Sequence, residues 1–486
     1  LIWSQSWISK IEEKEMKRTK IVATMGPASS SEEMLHALIQ AGMNVARLNF
    51  SHGEYSVHGQ TIANVRKVDE ELGTHTALLA DLQGPKLRVC DIVGGEMKLV
   101  NGEELTIRTG NHDGENGVVY TTYKEFARDV KPGEPVLMDD GKLELKVLET
   151  DGKGEVRCEI IHGGKLKPRK GINLPSTAIS LPCITEKDEA DLAFALENDV
   201  DWVGLSFVRN SNDIIDLRNR IEAAGKHARI VAKIEKPEAL EDLEEILTMT
   251  DAVMVARGDL GVEIPKQEVP LVQKDIIKRC MLLGRPVIVA TQMMESMIEH
   301  SVPTRAEVND VANAVLDGAD AVMLSAETSV GAFPVEAVKA MTDIIHSMEG
   351  HDAMFNHERP PLSPDDDRFI SDSMCYNACR LAKRVNAKAI VTMTFSGYTA
   401  VQVSSQRPKA HVYMFTANKK VLGQMSLVWG VTAFPYLKMV STDHTIADIK
   451  FELTKMGVVA KGDFVIHLAS MPIAEAGMTN MVKLSQ

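Results

Sequence analysis

No run of apolar residues in this chain approaches the roughly 18 that a membrane-spanning helix needs. Residues 1–15 lack the basic start and unbroken apolar core of a secretion signal, and they are expected to be a lead-in ahead of a shorter native chain starting near Met16. Cysteine is sparse. Of six, only Cys375 and Cys379 lie close together, and their spacing is neither a zinc nor a thioredoxin pattern. Few, scattered thiols fit a reducing compartment, so a cytoplasmic location is expected. Positive charge is also in deficit, with 54 Lys and Arg against 68 Asp and Glu, a formal net charge of −14. Nucleic acid and anionic membranes are therefore not expected partners, since both demand clustered cations. Phosphorylated small molecules stay open if basic residues gather in one cleft. GxxxxGK[ST], HExxH and EF-hand patterns are missing too, so nothing points to a P-loop kinase, a zinc peptidase or a calcium sensor.

What is present is ordinary globular material, 44% hydrophobic and 25% charged over 486 residues, enough for two to four domains. Eight short β-branched runs recur, at 20–24, 44–48, 76–80, 202–207, 230–234, 252–256, 286–290 and 321–324. Between most of them lie segments of helical periodicity with Glu- and Lys-rich outer faces, such as 238–248 and 305–316. Apolar strands alternating with helices predict an α/β fold built on a closed parallel (β/α)8 TIM barrel. The rhythm breaks once. Residues 87–182 carry short alternating runs such as 104–108 and 156–161 between frequent turn signals, which predicts an inserted all-β lid. A polar segment at 351–367 with Pro360, Pro361 and Pro364 reads as a linker. Strand-like runs at 388–394, 410–415 and 463–468 beyond it predict a C-terminal α/β domain. The expected division is a lead-in 1–16, barrel 17–86, lid 87–182, barrel 183–349 and C-terminal regulatory domain 350–486.

Active sites of such barrels sit at the C-terminal strand ends. Here the ends carry Arg47 through Gly53, Asp81, Lys233 and Glu235, Arg257 through Gly261, Thr291 and Gln292, and Ser325 through Glu327. A lone charge at a strand end is usually only solvated, but six such ends together are poorly explained that way. Carboxylates that take a divalent ion, with Lys and Arg for phosphate oxygens, suit a polyanionic substrate held through a metal. Lys233 and Glu235 lie two apart on a strand and point to one side. Gly258 and Gly261 flank Asp259 in a turn whose backbone N–H groups suit a carboxylate.

With these residues in view, the chain resembles the pyruvate kinases over nearly its whole length. The resemblance rests on the blocks 19–29, 47–53, 230–235, 256–261 and 290–297, in the right order. It implies that phosphoenolpyruvate and ADP/ATP are the substrates and that Mg2+, or Mn2+ in its place, is the cofactor held by Glu235 and Asp259. Arg47 and Lys233 would bind the phosphoryl group, Gly258 and Asp259 the substrate carboxylate. Thr291 would lie where enolpyruvate is protonated, with Ser325 and Glu327 on a proton path. Arg88 and Lys170 would contact nucleotide phosphates, with Asn49 and His52 nearby. The family resemblance also implies a homotetramer.

Two departures from the family pattern bear on function. Many members bind K+ beside a Glu in the segment after the third strand, where this chain has Lys86. Asn49, Ser51, Asp81, Leu82 and Lys86 would form that site or its Lys substitute, and Leu82, Gln83 and Val89 resemble the residues that accompany such a Lys in K+-independent members, so K+ is not expected to be required. Thr394, Ser396, Gly397 and Thr399 resemble the family's effector phosphate loop, yet Phe395 is apolar and residues 470–480 contain no Lys or Arg. A monophosphate effector, or none, is as well supported as fructose 1,6-bisphosphate. Exchange of Lys233 for Met is expected to cost more than about a hundredfold in turnover with little change in stability. The rival readings are another Mg2+-dependent barrel acting on an enolate, such as a lyase or mutase, and a degenerate family member that only binds effectors.

Overall fold

The computed structural model describes residues 17–361, 363–438, 441–471 and 477–486, so the lead-in expected over 1–16 lies outside the described residues. Eight strands close into a barrel: β1 (Lys20–Thr24), β2 (Val45–Asn49), β3 (Ala77–Asp81), β4 (Trp202–Leu205), β5 (Arg229–Ile234), β6 (Ala252–Ala256), β7 (Val287–Ala290) and β8 (Ala321–Leu324). Each pairs in parallel with the next, and β8 returns to β1 with Ala23 opposite Leu324. The TIM barrel expected from the eight runs is thus present. β2 and β3 end one residue later than their apolar runs, because Asn49 and Asp81 still face each other in the ladder. β4 stops two residues early, where Phe207 takes a left-handed φ of 55°.

Side-chain alternation decides what the barrel presents. Val22, Val45, Leu79, Val231, Met254, Ile288 and Met323 fill the interior, while Ile21, Ala46, Leu78 and Ile230 pack outward in the cluster shared with the helices. Two residues beyond an interior position, the same parity reaches the mouth. Leu79 therefore leads to Asp81, Val231 to Lys233, and Val45 to Arg47. At the opposite end, Leu427 from the C-terminal domain joins the interior cluster. The helices start on chemical signals: Thr304 and Glu307 form a capping box for Arg305–Leu316, and Thr185 with Asp188 does the same for Glu186–Glu197.

The insert carries a six-stranded sheet, a two-stranded ribbon and one helical turn (Phe126–Asp129) around its own apolar cluster. Its two connections to the barrel run side by side: Ile172 N donates to Leu87 O and Val89 N to Lys170 O. Beyond residue 350, four parallel strands and one antiparallel edge strand (Met481–Ser485) form an open sheet flanked by helices such as Phe369–Val385 and Thr442–Lys455. This sheet domain is joined to the barrel by a buried ion pair, Arg407 with Asp320 at 2.9 Å, and by the tight seating of Gly423 against the Asp201 carboxylate. Among the described residues no helix is long and apolar enough to cross a membrane.

Candidate active site

The mouth of the barrel holds a continuous charge network. Arg47 donates through Nε to Asp81 Oδ2 at 2.6 Å and through Nη1 to Thr24 Oγ1 at 2.8 Å. The Lys233 ammonium lies 3.1 Å from Asp81 Oδ1 and 3.0 Å from Glu235 Oε1, and donates to Ser206 Oγ at 2.7 Å. Glu235 is further fixed by the Phe207 backbone N–H, 2.8 Å from Oε2. Asp259 lies in the first turn of the short helix Arg257–Glu263 directly after β6, and its Oδ1 is 3.1 Å from Lys86 Nζ.

Burial and charge work against each other here. Burial alone would drive Lys233 toward the neutral amine, but the Asp81 and Glu235 carboxylates hold its pKa above the usual lysine value. Burial likewise opposes the ionised Asp81, and the Lys233 and Arg47 charges overcome it and lower its pKa. Glu235 is shifted the other way. Burial raises it, Lys233 opposes this, and the nearby negative charge of Asp259 raises it further. Two carboxylates that repel each other beside a fixed cation suit a divalent ion. Among the described residues no cluster of three or more His, Cys, Asp or Glu could hold a metal by itself. That donor set fits Mg2+, which is commonly held by one or two carboxylates together with substrate oxygens.

Across the mouth, Thr291 and Gln292 both adopt left-handed backbone, φ 68° and 54°. Such conformations in non-glycine residues persist only when neighbours enforce them. The enforcing residue is Arg257, whose Nη2 donates to Thr291 O at 2.7 Å while Nη1 pairs with Asp310 at 2.7 Å. Thr291 Oγ1 then accepts the Gly258 N–H at 2.8 Å, so the amide expected to meet a substrate carboxylate already has a partner. Ser325 N donates to Glu327 Oε2 at 2.7 Å and Met294 N to Oε1 at 3.2 Å; burial raises the pKa of Glu327.

The residues expected near a nucleotide are less closely gathered. His52 sits in a cationic setting, its pKa lowered first by burial and then by the charges of Arg88, Arg47, Lys86 and Lys187. Asn49 turns its carbonyl to the Ser51 N–H at 3.1 Å. Arg88 donates to the Arg169 carbonyl at 3.1 Å, and Lys170 pairs with Asp139 at 2.7 Å inside the insert. In the set compared with a K+ site, the Asp81 carboxylate is taken by Arg47 and Lys233, Leu82 contributes its carbonyl to Ser206 Oγ, and Lys86 faces Asp259. Far from the mouth, Gly397 N donates to Thr394 Oγ1 at 3.2 Å and Tyr398 N to Ser396 Oγ at 3.4 Å. Thr399, expected in the same phosphate loop, is buried and shares a 2.7 Å hydrogen bond with Thr479. Residues 472–476 of the last loop lie outside the described residues.

Three participants were given no role of their own from sequence. Ser206 lies inside the uncharged run 202–207, and Arg257 stood only among the residues at the end of the sixth strand. Lys236, adjacent to Glu235, forms a buried 3.0 Å pair with Glu263.

Comparison with known proteins bears on the whole chain. The family model described as "Pyruvate kinase, barrel domain" matches residues 16–338, and "Pyruvate kinase, alpha/beta domain" matches 372–485. The pyruvate kinase of Staphylococcus haemolyticus is 43% identical over 477 residues, 96% of this chain and 80% of that protein. That of Geobacillus stearothermophilus is 42% identical over 474 residues, again 96% of this chain and 80% of that protein. The crystal structure of a pyruvate kinase from Cryptosporidium parvum superposes with a TM-score of 0.89 at 34% identity, covering 97% of this chain and 96% of the other. Sequence and fold thus agree along almost the full length, and the chain belongs to the pyruvate kinase family of phosphotransferases.

Proposed function

We propose that the chain transfers the phosphoryl group of phosphoenolpyruvate to ADP, giving pyruvate and ATP as a step of glycolysis. The observation that carries this reading is the Lys233 ammonium held 3.1 Å from Asp81 and 3.0 Å from Glu235, with Arg47 on the far side of Asp81. Phosphoryl transfer asks a protein for positioning and charge neutralisation more than covalent help. Lys233 and Arg47 are fixed cations whose orientation is set before substrate arrives, so little reorganisation is needed as charge develops on the migrating group. Mg2+, or Mn2+ in its place, bound by Glu235 and Asp259 would supply a Lewis acid for the oxygens of the substrate. Thr291, locked by Arg257, would fix the face on which the enolate receives its proton, and the buried Glu327 would hold Ser325 in place. Arg88, Lys170, Asn49 and His52 would serve the nucleotide, with Lys170 leaving Asp139 when phosphates are present.

The 3.1 Å contact between Lys86 and Asp259 supports independence from K+, since a tethered ammonium already occupies the mouth. An effector at Thr394, Ser396 and Gly397 would be a monophosphate, and a homotetramer would be the working assembly. The deciding experiment follows pyruvate formation from phosphoenolpyruvate with Mg2+, with and without ADP. Formation that depends on ADP and yields equimolar ATP is expected. Consumption of phosphoenolpyruvate without ADP would instead favour a lyase or mutase.

A further inference from the structure

The lid is fastened to the barrel by groups that the phosphoryl-transfer reading leaves without a task. On its return path, Asn173 Nδ2 donates to Glu263 Oε1 at 2.8 Å, and the other oxygen of Glu263 lies 3.0 Å from Lys236 Nζ. Lys236 and Glu263 side chains are 5% and 1% exposed, so this pair is sealed from solvent. A little further along, Arg209 Nη1 donates to the carbonyls of Ile179 at 2.9 Å and Leu181 at 3.0 Å. Between these fasteners lies a small, partly open cavity of about 20 Å³, bounded by Lys86, Leu87, Ile172, Phe207, Lys236 and Glu263, room for about one water molecule.

The placement of the pair in the chain gives it meaning. Lys236 directly follows Glu235. Glu263 lies four residues after Asp259 on the helix Arg257–Glu263, so both carboxylates share one helical face. The groups that secure the lid are therefore built into the same two segments that carry the candidate metal carboxylates. A buried ion pair contributes little net stability against an apolar substitute, but it fixes geometry sharply, because either charge left alone is costly.

We infer that Lys236 is a positioning residue: through Glu263 it anchors Asn173, and so sets the resting position of the lid relative to Glu235 and Asp259. This inference rests on the reading of the lid as the nucleotide-bearing element. Asn173 lies three residues after Lys170, and Arg88 pairs with Gly171 across the two connections, so the bond to Glu263 restrains both cations proposed for ADP.

The test uses the full chain with Mg2+. Asn173→Ala removes only the lid side of the latch. It should raise KM for ADP about tenfold, the equivalent of one hydrogen bond to a charged acceptor, while kcat and KM for phosphoenolpyruvate stay within about twofold. Amide hydrogen exchange of segment 172–181 should quicken by a similar factor. A second variant, Lys236→Met with Glu263→Gln, removes both charges together and so avoids stranding a buried carboxylate. Added to Asn173→Ala, it should change KM for ADP by less than about twofold, because both act through one contact. Unchanged exchange and KM in Asn173→Ala, or effects that multiply in the combined variant, would overturn the proposal. A wild-type chain without ADP-dependent pyruvate formation would sink the functional reading instead, while the exchange measurement would still decide the latch.

Discussion

Lys86, at the entry to the lid, and Asp259, at the start of the helix after β6, meet across the barrel mouth at 3.1 Å. Both side chains are 28% exposed, so the contact is screened by solvent, and its value lies in placing an ammonium rather than in adding stability. Adding K+ at constant ionic strength should leave the rate of Mg2+-dependent pyruvate formation unchanged. Lys86→Met should lower kcat about tenfold or more, with thermal stability little altered. Strong activation of the wild type by K+ would refute the assigned role of Lys86.

Lys233→Met should reduce kcat by more than about a hundredfold. The structure revises the expectation that stability would be untouched. Lys233 stands between two carboxylates that are each 1% exposed, and its removal leaves Glu235 without its cation. Losing one partner of a buried pair typically costs about 3–5 kcal/mol. Denaturant unfolding with a chelator present should therefore show a clear fall in midpoint, which an unchanged midpoint would contradict.

Asp201 is buried beneath Gly423 of the C-terminal domain, and burial, only partly offset by Arg66, raises its carboxyl pKa to about 6. The folded state therefore holds this proton more tightly than the unfolded chain. The resulting contribution to stability is full below about pH 4 and is lost as pH rises through about 6. Asp201→Asn should gain stability relative to the wild type by about 3 kcal/mol between pH 4 and pH 7. Paired urea titrations at the two pH values would measure it, and a pH-independent difference would exclude the shift.

Arg407 makes two bonds to Asp320, at 2.9 and 3.2 Å, donates to the Gly318 carbonyl at 2.7 Å and lies over the Trp429 ring at 4.9 Å. Arg407→Met should destabilise the joint between the sheet domain and the barrel by about 3–5 kcal/mol. Since none of these groups reaches the mouth, KM for both substrates should hold. A stable variant with altered KM would reverse the assignment.

How far the site could be read in advance depended on range. Lys233, Glu235, Asp81 and Arg47 were legible because strand parity carries an interior position to the mouth, and parity is a local property. The shift of β2 and β3 by one residue followed from a pairing, Asn49 with Asp81, between strands separated by a whole helix. Ser206, Lys236 and Glu263 were invisible for the same reason: their partners lie on distant segments of the barrel or in the insert, and composition holds no trace of them. Lys170 was placed by resemblance, and its neighbour Asp139 emerged only from a hairpin in which Asp139 and Asp140 both take left-handed backbone. The partner of Thr399 was hidden because a hydroxyl after a glycine-led turn looks the same whether it faces a ligand or the distant Thr479.

The seating of Leu427 within the barrel's interior cluster has a consequence for how the chain is made. All eight barrel strands have been synthesised by Leu324, yet the side chain that completes their packing is added about a hundred residues later, some 5–20 s at ordinary ribosomal speed. Until then the interior cluster lacks that member, so its packing is complete only once the sheet domain has emerged.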